Sequence, residues 1–264
     1  MTISTMVLLP LALATVGMAG LCVVALRRRD LGLVDLGWTA GVGATALWYA
    51  SQVTGAPWRR AAVAALTAAW ATRLLHHMLA GIRQRQAEDG RYQALRAHWG
   101  NRINYYAPWL FVGQAPLIVL FALPVAIAMR QPAAGLTPWD VAGFAIGILS
   151  IVGEAAADRQ LTRFRAQPEH RGQTCRAGLW RYSRHPNYFF EWLHWWAYVL
   201  IAVGAPQAWL TWMAPTLMLL FLFKVTGIPH AERQALASRG DDYRRYQAVT
   251  SVFIPWFPRR ERAR

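Results

Sequence analysis

A chain of 264 residues with 55% hydrophobic side chains, 14 tryptophans and a positive mean hydropathy is too apolar for an ordinary soluble domain and long enough for several membrane crossings. Its net charge of +15 would suit nucleic acid, but the basic residues alternate with apolar runs. That is the ordinary pattern of a polytopic membrane protein, so no nucleic-acid partner is expected.

In chain order, runs of about 20 mostly apolar residues predict seven transmembrane helices at 6–26, 34–53, 61–80, 109–129, 139–156, 188–203 and 209–228. The first span is followed by Arg27, Arg28 and Arg29, the reverse of a cleaved signal peptide, and is read as a mature helix. Asp35 stands at the start of the second span, where its charge suits the helix dipole. Gly37 and Gly41, like Gly143 and Gly147 in the fifth span, have the spacing that lets helix backbones approach closely. The alanine-rich third span carries Arg73, His76 and His77; Arg73 and His77 are four apart and share a face. Ionisable groups inside a span are costly and face a bundle interior or a wet cavity.

The arginine clusters at 27–29, 83–102, 159–184 and 233–264 hold 23 arginines, against Arg59, Arg60 and Arg130 in the alternate loops. The positive-inside rule then predicts an all-α polytopic protein with its amino terminus outside and its carboxyl terminus in the cytoplasm. No internal repeat or long linker interrupts residues 1–264, so one membrane-embedded domain is expected. Cys22 lies in a span and Cys175 in a loop, a placement that predicts neither a disulfide nor a metal site. His230 and Glu232 lack a third ligand, Lys224 snorkels to the surface, and the 83–102 cluster reads as a lipid-facing basic loop.

The sixth span opens with "GLWRYSRHPNYFFEWLHWW", residues 178–196. Pro186 suits the first turn of a helix, and the free amides there, flanked by Arg181, Arg184 and His185, are expected to attract a phosphate. Asn187, Glu191 and His194 fall at i, i+4 and i+7, a polar stripe entering the bilayer. An interfacial belt with one paired carboxylate is the plainer reading of the same residues.

"RHPNY" followed by an acid and preceded by "GLW" resembles the carboxyl-terminal cofactor region of the steroid 5-alpha-reductase and sterol reductase family, closest to its bacterial members. The likeness runs over 152–258, with 1–129 as the substrate-side helices one to four. It implies NADPH contacts from Trp180, Asn187 and Tyr188, with Glu191 near the nicotinamide half. "DRQLTRFR" likewise implies Asp158 and Arg165 at the adenosine end, and the tail "AERQALASRGDDYRRYQAVTSVFIP" implies Glu232, Tyr243 and Tyr246, with Arg239 as a phosphate partner. Arg176, Arg184 and His185 complete a cradle of guanidinium forks for phosphates and carboxylates for ribose hydroxyls.

The implied reaction is hydride transfer from NADPH to an activated C=C bond of a steroid-like or other lipid-soluble substrate, at a site opening to the cytoplasm from the bacterial inner membrane. Membrane lipids are the remaining partner expected, and the oligomeric state is left open. Asp35, Arg73, His76 and His77 are the candidate donors for the charge that develops on the substrate oxygen, and Glu191 joins the catalytic set. Trp70 stands nearest the position where steroid reductases carry a tyrosine, which widens the substrate class. Isoprenylcysteine and phospholipid methyltransferases share the "RHPxY" start and bind S-adenosylmethionine, but Phe190 precedes the acid here, and five arginines between 159 and 176 suit a dinucleotide better. A transporter or non-catalytic lipid-binding protein is the third reading; no paired broken-helix pattern supports it.

Overall fold

The computed structural model describes residues 3–84, 88–225 and 227–259. Arg85, Arg260, Arg262 and Arg264 of the basic clusters lie outside the described residues. Among those described, every regular element is helical. In chain order they are α1 (Ile3–Arg28), α2 (Leu33–Gln52), α3 (Pro57–Gln84), α4 (Gly90–Trp99), α5 (Ile103–Val112), α6 (Gln114–Met129), α7 (Pro138–Arg165), α8 (Pro186–Ile201), α9 (Met213–Leu220) and α10 (Ile228–Val249), with short 3-10 turns between some of them.

Among the described residues, four stretches are long and apolar enough to cross a membrane: Met6–Arg28, Gly90–Met129, Pro138–Arg165 and Ala208–Val249. The apolar part of the last ends before Gly227, since α10 carries Glu232, Arg233, Arg239, Asp241 and Asp242. Helices also stand where the second, third and sixth spans are predicted, but they fall short of that standard. α8 has only 16 residues, α3 carries Arg59, Arg60 and Arg73, and α2 is diluted by glycine, threonine and serine. Large apolar side chains such as Leu13 (64% exposed) and Val16 (73% exposed) stand on the outside of α1, where water would penalise them and lipid does not. The protein is embedded in a membrane.

The chain divides into two compact units, Met1–Ala142 with Tyr198–Ala214, and Gly143–Ala197 with Pro215–Arg264. In the first unit, α2 packs against α1, α3 and α6. Gly37 and Gly41 make this possible. A Cβ on Gly37 would lie 2.5 Å from Leu21 Cδ2, and one on Gly41 2.5 Å from Ile118 Cδ1. Trp38 fills the middle, edge-on to Trp70 and to Phe121 at ring separations of 5.9 and 5.2 Å.

One end of this unit is fastened by a buried ion pair. Arg59 and Asp140, both fully buried, meet at 2.8 Å. The same guanidinium donates to the carbonyls of Gln131, Ala133 and Gly135 and lies over the Trp58 ring at 4.5 Å. Thr137 donates to Asp140 from both its amide and its hydroxyl. With these bonds made, the charges tolerate burial and the 131–137 segment is held in one shape.

The second unit contains α7 from Gly143 to Arg165, the 166–185 loop, α8 up to Ala197, α9 from Pro215, and α10 with the segment after it. Gly153 on α7 receives the ring of Phe190, which would sit 2.5 Å from any Cβ there. Most of the predicted cofactor region, 152–258, belongs to this unit.

Candidate cofactor-binding site

α7 and α8 face each other through polar side chains. Ser150, Glu154 and Asp158 repeat every fourth residue along α7, and Asn187, Glu191 and His194 form the stripe on α8. Asn187 Nδ2 donates to Asp158 Oδ1 at 3.3 Å, and Ser150 Oγ meets His194 Nδ1 at 3.2 Å. These two rungs run antiparallel, so Glu154 and Glu191 stand between them at the same level. Ser150, Glu154, Asp158, Glu191 and His194 are all buried, and Trp195 Nε1 donates to Glu191 Oε1 at 3.3 Å. Glu191 is therefore part of an interior seam rather than of a surface belt.

α8 begins at Pro186, as its sequence predicts, but its amide end is closed by the protein itself. Ser183 Oγ accepts from the His185 amide at 3.1 Å and donates to the Phe253 carbonyl at 2.7 Å. Asn187 Oδ1 takes the Tyr188 amide. The Arg184 amide donates to the Ser251 carbonyl at 2.8 Å, and the Trp256 amide donates to Tyr182. The segment after α10 thus lies along the loop that starts α8, and the amides of Arg184, His185 and Tyr188 at the helix mouth are already bonded within the protein.

Glu232 is the hub of this closure. Its carboxylate accepts from Arg184 Nε at 2.7 Å, Gln247 Nε2 at 2.7 Å, Tyr243 Oη at 3.2 Å and His185 Nε2 at 3.3 Å. Burial pushes the Glu232 carboxyl up, but the His185 hydrogen bond, the Arg184 charge and the Gln247 amide hold it down to about 2. Burial lowers the His185 imidazole despite its bond to Glu232, so the ring is neutral near pH 7, stacked on Tyr188 at 5.5 Å. Arg184 also donates to the carbonyls of Gln247 and Thr250.

Further candidates are spent in the same way. Trp180 is buried and its indole donates to the Ala157 carbonyl at 2.9 Å. Tyr246 Oη donates to the carbonyls of Trp180 and Ser183. Arg176 pairs with Asp242 at 2.8 Å, and that carboxylate also accepts the Thr174 amide. These bonds hold the 174–185 loop to α10.

Two of the four arginines in the predicted cofactor set remain outside this network. Arg165, exposed in the last turn of α7, lies near enough to Arg239 for their charges to repel, with Tyr188 and Cys175 beside it. Arg239 sits over the Tyr243 ring at 5.0 Å, and its Nε is buried with no hydrogen-bond partner. Neither guanidinium is paired with a carboxylate among the described residues. Like charges brought together cost energy unless an anion joins them. The positive φ of Gly240, +51°, kinks α10 just after Arg239, a backbone state that glycine adopts without strain.

The candidates of the first unit lie apart in kind. Asp35 accepts from Arg91 Nη2 at 3.0 Å and Tyr92 Oη at 2.7 Å, so it ties the start of α2 to α4. Arg73 is half-buried on α3, and His76 and His77 are exposed a turn later. No cluster of metal ligands occurs among the described residues.

Sequence reasoning named Arg165 and Arg239 but missed Asp242, Gln247 and Ser183, whose partners lie as far as 70 residues away. A family model described as protein of unknown function (DUF1295) matches residues 21–250. No curated protein and no solved structure matches the chain.

Proposed function

From the premise that the chain belongs to the DUF1295 family, and from the cradle just described, we propose that it is an NADPH-dependent membrane reductase acting on an activated C=C bond of a steroid-like or other lipid-soluble molecule. One observation carries this reading: Arg165 and Arg239 form a pair of adjacent cations with no carboxylate between them, beside the ring of Tyr188. A phosphate fits that vacancy of charge, because guanidinium forks bind its oxygens with short, charge-assisted bonds.

The residues fit the phosphate end of a dinucleotide. Arg165 and Arg239 would hold it, and Asn187, Tyr188 and Glu191 would line the course toward the reacting ring. Asp158 orients Asn187, while Glu232, Arg184, Arg176, Trp180, Tyr243 and Tyr246 keep the cradle in shape. When bound, the cofactor supplies the hydride; the protein orients it and excludes water. The buried seam at Glu154 and Glu191 gives carboxyl groups at a dry site. Arg73 and His77 stay the candidates for donating to the substrate oxygen, since Asp35 is held by Arg91 and Tyr92. Seven crossings, an external amino terminus and a site opening to the cytoplasm of a bacterial inner membrane complete the proposal, because the basic loops would then share one side.

The test is thermal stability of the purified protein titrated with NADPH, NADH and S-adenosylmethionine. NADPH is expected to raise the unfolding temperature and S-adenosylmethionine is not. In Arg165→Ala or Arg239→Ala the NADPH affinity should fall roughly ten-fold or more, the loss of one charged hydrogen bond. Stabilisation by S-adenosylmethionine alone would assign methyl transfer instead.

A further inference from the structure

The first unit holds a second candidate site, remote in sequence from the cradle. A pocket of about 350 Å³ opens where the ends of α2 and α6 meet the start of α1 and the turn at 207–210. That size lies within the range of small-molecule sites. Its floor is apolar, from Leu123, Ile127 and Leu210, and its polar lining comes from Gln52, Thr54, Arg130 and Gln207.

The charge in this pocket is uncompensated. Arg130 caps α6 and makes no ion pair or side-chain hydrogen bond among the described residues. The partial negative charge of the α6 carboxyl end offsets only about half of a unit charge. Asp140, the acid closest in sequence, is fully taken by Arg59 and Thr137. The pocket wall is built, not incidental. Arg60 Nη1 holds the Val53 carbonyl at 2.9 Å, and Tyr49 Oη holds the Met6 carbonyl at 2.7 Å. Gly55 lets its loop lie so close that any Cβ would stand 2.1 Å from the Met129 carbonyl oxygen. Gln207 is fixed at a positive φ of 59°, which places a non-glycine residue in an uncommon conformation.

A cation with two amides above an aliphatic floor is complementary to an anionic head joined to a hydrocarbon chain. We propose that this pocket binds a phosphate-bearing amphiphile, with the phosphate on Arg130, Gln52 and Gln207 and the first methylenes of a chain on Leu123, Ile127 and Leu210. Arg130 supplies the point charge, the amides give direction, and the floor rewards the chain at about 0.8 kcal/mol for each buried methylene. The inference stands independently of the reductase reading.

The experiment places the full chain in nanodiscs of zwitterionic phosphatidylcholine and compares its unfolding temperature as phosphatidylglycerol replaces part of the lipid, or as inorganic phosphate is added. The expected result is a rise with phosphatidylglycerol that is lost in Arg130→Gln and kept in part in Arg130→Lys, whereas Arg244→Gln, an exposed arginine already paired with Asp241 at 2.7 Å, keeps the whole rise. Native mass spectrometry of the same samples should show fewer retained anionic lipids for Arg130→Gln and for Leu123→Trp, which fills the floor while leaving the charge. A shift with inorganic phosphate as large as that with the lipid, and equally dependent on Arg130, would identify a free phosphate as the source and overturn the chain-binding half of the proposal. Equal lipid retention in the parent, Arg130→Gln and Leu123→Trp would overturn all of it.

Discussion

Glu232 ties the loop before α8 to α10, because one carboxylate answers Arg184, His185, Tyr243 and Gln247. Glu232→Gln should leave Arg184 without its counter-charge and lower stability by about 2 kcal/mol, a loss read from the unfolding temperature. The pH sign follows from the carboxyl held at about 2 against 4.5 when unfolded. The contribution is whole above about 4.5 and drains away as pH falls toward 2. The gap in unfolding temperature between the parent and Glu232→Gln should therefore close over that window. His185 acts in the same direction, since its lowered value favours the neutral ring and its contribution is lost as pH falls below 6.5. At this scale the sequence was informative about identity and poor about task. Arg165, Arg239 and Glu232 are all prominent in it, but only the folded chain distinguishes the arginines without a carboxylate from the carboxylate with four donors.

Among elements, α2 owes its packing to two small residues. Gly41→Val would drive a side chain into Ile118, which is 1% exposed, and should cost about 1–3 kcal/mol of stability by overpacking. Adding Ile118→Ala should recover part of that loss in a thermal unfolding measurement. The four-residue glycine spacing was legible because close helix approach leaves a local mark in the sequence. Helix positions were legible for the same reason: the predicted 34–53 and 61–80 fall on Leu33–Gln52 and Pro57–Gln84. By contrast, α4 and α10 were read as basic loop and tail, since both are polar and neither has an apolar run to announce it. α4 starts because Asp89 accepts the Arg91 amide, and it stays because Glu88 binds both Arg96 and the Leu31 amide. The closure of the α8 amide end was equally hidden, as it comes from residues 251–256, far along the chain.

For the whole molecule, the reductase proposal places Glu191 in the working half and Lys224 outside it. Glu191→Gln should reduce NADPH binding or the consumption of NADPH absorbance with a lipid-soluble enone more than Lys224→Met does; equal and negligible effects would return Glu191 to a packing role. The proposed topology predicts that a cysteine introduced at Arg239 is labelled by a membrane-impermeant maleimide only when the cytoplasmic face is exposed. The fully buried pair of Arg59 and Asp140 bears on biogenesis as well. These residues are 81 positions apart, so a nascent chain released before Asp140 emerges must hold a guanidinium among helices with its counter-ion still unsynthesised. Completion of the amino-terminal bundle therefore waits on translation of the first turn of α7.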